Sequence, residues 1–212
     1  PLGVNSNSDS TGVNCGINQD GPVWFLAGPL VRIADSVAAP QAVRTATAFA
    51  AEPLTDLGVI PALLPRTAPR GAILPVYDPH ALAWLMERAR ERWREERVET
   101  VLVRGSDGDP AGWFIYVNGG AGTAQVLQLA ALPAHRGAVL RQLFRHAWQA
   151  GAAAVRGRAD PLWLDEVGAA GCRWERLGEG MIVHARRPEL LAAFLRGDAV
   201  LSGLDGEWWL DF

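Results

Sequence analysis

The chain has 212 residues, about half of them apolar (49%), which is enough to bury a sizeable core and excludes global disorder. Its formal net charge is −3 and all twenty cationic side chains are arginine, with no basic face large enough to suggest a nucleic-acid partner. No apolar run reaches the roughly 18 residues of a membrane-spanning helix, so no membrane span is expected.

Residues 1–28 read as an irregular arm rich in Asn, Ser and Gly, residue types that favour turns. Oxygen side chains alternate at Asn5, Asn7 and Asp9, but an EF-hand loop needs glycine at its sixth position and glutamate at its twelfth. Ser10 and Gly16 stand there, which excludes that calcium site. Cys15 and Cys172 lie far apart without CxxC spacing, so they give neither a metal site nor a disulfide framework and read as two free thiols in a reducing compartment. Residues 29–70 read as a helical connector, with short pieces at "LVRIADSVA" and "PLTDLGVIPALL" interrupted by prolines.

Regular structure is predicted from Gly71 onward. Asp78 is placed to cap a helix whose first residue is Pro79, and Leu82, Leu85, Met86, Ala89 and Trp93 recur at helical spacing. Glu87 with Arg90 and Glu91 with Arg94 are expected to pair on its wet face. "ETVLVRG" and "PAGWFIYVNGG" form a hairpin around the turn signal "SDGD". "TAQVLQLAAL" is a longer strand, and a period of two sets Gln125 and Gln128 on opposite faces. "RGAVLRQLFRHAWQAG" follows as an amphipathic helix stopped by Gly151. A short strand "AAVRGR", a helix in "DPLWLDEVGAAG", a hairpin in "CRWERLGEGMIVHAR" and a helix in "RPELLAAFLRG" complete the order. Strands and helices in this succession imply a mixed sheet flanked by helices.

That order, over residues 71–212, resembles the GNAT N-acetyltransferase superfamily. "LPVYDPHALAWL", "GWFIYV", "AQVLQLAAL" and "LSGLDGEWWLDF" are similar to the C-terminal half of two-part bacterial GNAT-type proteins linked to polysaccharide biosynthesis. The resemblance implies an α/β (α+β) fold, a GNAT-like mixed and mostly antiparallel central sheet with helices on both faces. It also implies acetyl-CoA as acyl donor and a cytoplasmic enzyme. In the superfamily an Arg/Gln-x-x-Gly-x-Gly/Ala loop between strand and helix holds the pyrophosphate on backbone N–H groups. Here the corresponding stretch is "PAHRGAVL", which keeps one of the two glycines. The resemblance sets Arg136, Gly137, Ala138 and Val139 at the pyrophosphate and the backbone of Leu129, Ala130 and Ala131 against the pantetheine arm.

Amine acetylation needs a base for the ammonium proton and an acid for the leaving thiolate. "TAQVLQLAAL" carries no carboxylate, and "DPLWLDEVGAAG" lacks the tyrosine that the family places there. Gln128 can orient an acceptor or a water, and His135 has an intrinsic pKa suited to proton transfer; these two are the catalytic candidates. No metal ligands are expected. Trp113, Trp148, Trp163, Trp174, Trp208 and Trp209 are expected to fill the core. The function implied is an acyl-CoA-dependent N-acetyltransferase, or one half of one, acting on a small-molecule acceptor such as an amino sugar. The alternative is a catalytically inactive GNAT-like domain that serves an upstream or partner acetyltransferase half.

Overall fold

The computed structural model describes residues 11–16, 48–119, 122–158, 160–176, 184–200 and 202–205, with backbone alone for 11–16 and 173–176. Among the described residues, seven strands form one sheet: β1 (Thr11–Gly16), β2 (Ala50–Pro53), β3 (Arg97–Arg104), β4 (Pro110–Asn118), β5 (Thr123–Ala131), β6 (Ala154–Arg158) and β7 (Arg173–Arg176), in the order β2-β3-β4-β5-β6-β1-β7. All pairs are antiparallel except β5 with β6, which is parallel. The helices are α1 (Val59–Thr67), α2 (Pro79–Arg92), α3 (Arg136–Gln149), α4 (Leu164–Ala169) and α5 (Pro188–Leu195). This is the expected mixed, mostly antiparallel sheet with helices on both faces.

Alternation along β4 builds both layers. Trp113, Ile115 and Val117 pack with Ile60, Leu63 and Leu64 of α1 and Leu82, Met86 and Ala89 of α2. Phe114 and Tyr116 face the other way, onto Val139, Leu140, Leu143 and Phe144 of α3. A strand buried on both faces is the centre of a sheet and the most costly place to introduce a polar group. Asp78 caps α2, accepting from the Ala81 N–H at 2.8 Å. On the wet face of α2 the pair that forms is Arg88 with Glu91, an i,i+3 contact, in place of the two pairs expected. The β3–β4 turn closes through Gly108, whose φ of 83° suits glycine.

Three expectations are corrected. The sheet draws strands from all three sequence segments: β1 comes from the arm read as irregular, and β2 from the segment read as a helical connector. Cys172 is disulfide-bonded, so the free-thiol reading does not hold for it. Finally, Gln125 and Gln128 lie on the same face, because a β-bulge intervenes: Val126 pairs with Tyr116 and Gln128 with Ile115, which leaves Leu127 as the extra residue. Among the tryptophans, Trp113 and Trp163 are buried, and Trp148 packs on the core from its edge. The side chains of Trp174, Trp208 and Trp209 lie outside the described residues, as do "LVRIADSVA" and residues 177–183 of the expected final hairpin, while residues 184–186, expected in its second strand, form no strand.

Candidate functional site

β5 and β6 pair only from Thr123↔Ala154 to Gln125↔Arg156, although β5 continues to Ala131. The bulge at Leu127 begins where that pairing ends. From there the side of β5 away from β4 has no strand partner among the described residues. A cavity of about 70 Å³ lies in this opening, between Val126–Leu129 of β5 and Gly157 and Arg158 of β6. Its apolar floor is Leu140, Leu143 and Phe144 of α3, Val167 of α4, and Trp163; its polar groups are Gln128, Arg158, Asp160 and Ser202. A second cavity, about 10 Å³, continues along the strand past Ala130 and Ala131 to Arg136. The two share Leu129, Asp160 and Trp163 as a common wall.

One wall of the opening is a hydrogen-bonded chain of side chains from distant parts of the sequence. Trp113 Nε1 donates to Gln128 Oε1 at 2.7 Å, and Gln128 Nε2 donates to the Tyr77 hydroxyl at 2.9 Å. Tyr77 in turn donates to Asp205 Oδ1 at 2.5 Å. The second carboxylate oxygen of Asp205 accepts from Ser202 Oγ at 2.7 Å and from the Ser202 N–H at 2.9 Å. An isolated parallel bridge, Ile73 with Ala199, runs the two segments side by side and so brings Tyr77 to Asp205. Burial and the Asp205 charge beside it push the Tyr77 pKa well above the usual phenol range, so the hydroxyl stays a neutral donor. The 3-10 turn Gly203–Asp205 rests on β5: a Cβ on Gly203 would lie 3.1 Å from the Leu127 carbonyl oxygen.

Asp160 stands at the junction of the two cavities. Its Oδ1 accepts from the Leu162 N–H at 2.8 Å, capping the 3-10 turn Pro161–Trp163 that leads into α4. Burial raises its pKa; the Leu162 bond and the charges of Arg158 and Arg136 oppose that rise.

The residues singled out in the sequence fall into three places. Gln128 lines the larger cavity, with its amide engaged by Trp113, Tyr77 and, at 3.4 Å, Ser202. Leu129 lines both cavities, and Ala130, Ala131 and Arg136 line the smaller. Arg136 reaches the Thr67 carbonyl at 3.4 Å. His135, Gly137, Ala138 and Val139 line neither cavity: the His135 ring meets Phe49 edge-on at 5.3 Å, and Ala138 and Val139 are buried in the core. The "PAH" of the expected phosphate loop is a 3-10 turn, Pro133–His135, which runs directly into α3.

Sequence reasoning missed Tyr77, Asp160, Ser202 and Asp205 as site residues. Only the last two carried a local signal, a Ser-x-x-Asp spacing in "SGLD" that favours a side-chain-capped turn. No group of three or more His, Cys, Asp or Glu residues placed to hold a metal ion occurs among the described residues.

No protein-family model matches the sequence, and no curated protein matches it. Among solved structures, the chain is similar to the N-myristoyltransferase of Saccharomyces cerevisiae, crystallised with bound myristoyl-CoA and inhibitors. The match has 12% sequence identity and a TM-score of 0.46, and covers 74% of this chain and 45% of that one. The chain therefore spans less than half the length of that protein.

Proposed function

We propose that this chain is an acyl-CoA-dependent N-acyltransferase, with acetyl-CoA as donor and an amino sugar or similar small primary amine as acceptor. The observation that carries the reading is the separation of β5 from β6 after Gln125, which opens one side of β5 beside an apolar cavity. Unpaired strand backbone is a template for another extended, amide-bearing chain, and the pantetheine arm is one. In this reading the backbone of Leu129–Ala131 binds that arm. The start of α3, around Arg136–Val139, receives the pyrophosphate, with the Arg136 guanidinium as its counter-charge.

Gln128 is held by Trp113 and Tyr77, and so positions the acceptor end of the site. Ser202 lines the same cavity, and its Oγ is bonded to Asp205. The amine attacks the thioester carbonyl, and its proton passes to Ser202 Oγ as Ser202 gives its own to Asp205. Tyr77 holds the other carboxylate oxygen and keeps Asp205 aimed. We assign the proton to this pair in preference to His135, whose ring is turned to Phe49 outside the cavity.

The inactive-half reading keeps one observation of its own. The 203–205 turn lies on Val126 and Leu127, and a 70 Å³ cavity is small against the several hundred Å³ typical of ligand sites. Calorimetric titration with acetyl-CoA decides between them. Micromolar binding is expected, weakened at least about tenfold in Arg136→Glu, since each lost or inverted phosphate contact costs roughly 1.4 kcal/mol or more. A folded chain that takes up no acetyl-CoA at millimolar concentration is the inactive half.

A further inference from the structure

Asp160 is the polar side chain common to both cavities, and with Leu129 and Trp163 it forms the wall between them. A thioester laid along β5, with its phosphates at Arg136 and its carbonyl at Gln128, has its sulfur at that wall. Resting on the acyltransferase reading, we propose that Asp160 is the general acid that protonates the departing coenzyme A thiolate. It begins the stretch "DPLWLDEVGAAG", in which the resemblance leads one to expect a tyrosine for that task and none occurs.

The amine nitrogen bonds to the carbonyl carbon, and the C–S bond breaks with its electron pair on sulfur. The carboxyl proton of Asp160 passes to that sulfur and leaves a carboxylate. The proton lost by the amine goes to Ser202 and Asp205, and solvent restores both groups. Arg158 from β6 and Arg136 from α3 are the charged groups that act on Asp160. Both favour the carboxylate once the proton has gone, while burial raises the pKa of the carboxyl before it goes. Asp165 and Glu166, in the first turn of α4, line neither cavity.

Asp160→Asn is the informative change. Asparagine keeps a cap acceptor for the Leu162 N–H and cannot donate a labile proton. The full chain is assayed with a panel of primary amines, glucosamine among them, on two donors: acetyl-CoA and the acetyl thioester of 4-nitrothiophenol, whose thiolate leaves without protonation. We expect kcat with acetyl-CoA to fall about 10²-fold, kcat with the aryl thioester to fall less than about threefold, and the acetyl-CoA Kd and the melting temperature to hold. Asp160→Glu recovers part of the acetyl-CoA rate. Equal losses on both donors, or no loss on acetyl-CoA, overturn the role of Asp160 and leave the acyltransferase reading intact. A wild-type chain that binds no acetyl-CoA, or acetylates no amine in the panel, overturns the reading and the proposal together.

Discussion

A Cβ at Gly112 would lie 2.3 Å from the Ala130 carbonyl oxygen and 2.9 Å from the Ala131 Cβ, so the side chain's absence lets β4 approach the end of β5. That end carries Leu129–Ala131, along the smaller cavity. Gly112→Ala must push the two strands apart, and we expect a loss of about 1–3 kcal/mol in urea unfolding, the usual range for overpacking. A variant as stable as wild type would show that β5 yields there without strain. His146 makes a second residue-level case. Its Nδ1 lies 2.8 Å from the Tyr116 hydroxyl, and its ring packs edge-on against Phe114 and Tyr116. Burial lowers its pKa, partly opposed by Glu99. The fold therefore disfavours the charged ring, while the unfolded chain takes up a proton as pH drops through about 6.5. Its contribution to stability is complete above that value and is lost on acidification. Carboxylates add their own acid sensitivity, so the measurement is a difference: between pH 7.5 and 5.5 the stability of wild type should fall further than that of His146→Gln. Parallel pH profiles for the two would refute it.

Among the elements, those that bury a stripe were legible in sequence. Helix α2 announces itself through Asp78, Pro79 and the Leu82–Met86–Ala89 row, and β4 through an unbroken apolar run buried on both faces. Elements with weak local signals were not. β2 is "AAEP", four exposed residues ending in proline that take their conformation from pairing with β3. β1, "TGVNCG", has two glycines and an asparagine, weak strand formers that lie between β6 and β7. The bulge at Leu127 defeats period-two counting, since one inserted residue reverses every side chain beyond it. The site divides in the same way. Gln128 stood out as a polar residue in an apolar strand. The hydrogen bond of Tyr77 with Asp205 spans 128 positions and is made by tertiary structure alone, which no local pattern encodes. Asp160 caps a 3-10 turn, and its place in the cavity wall follows only once β5 and β6 have parted.

On the scale of the whole molecule, Cys172 is disulfide-bonded at the entry to β7. Disulfides persist where the surroundings are oxidising, which sets this bond against the reducing compartment expected from the sequence. Cys172→Ser should cost about 2–5 kcal/mol, read as a lower midpoint in guanidinium, and reductant should reproduce that shift in wild type and add nothing in the variant. Equal midpoints with and without reductant would remove the bond's structural role. The order of the sheet has a consequence of another kind. Gly12 pairs with Arg158 and Thr11 with Arg176, so β1 can take its place only after nearly the whole chain between them has been made and folded back. Pairings so distant in sequence are slow, because the loop must close before any contact rewards it. Until β1 arrives, β6 shows a bare edge to other chains, which makes the interval before closure the one in which aggregation competes with folding.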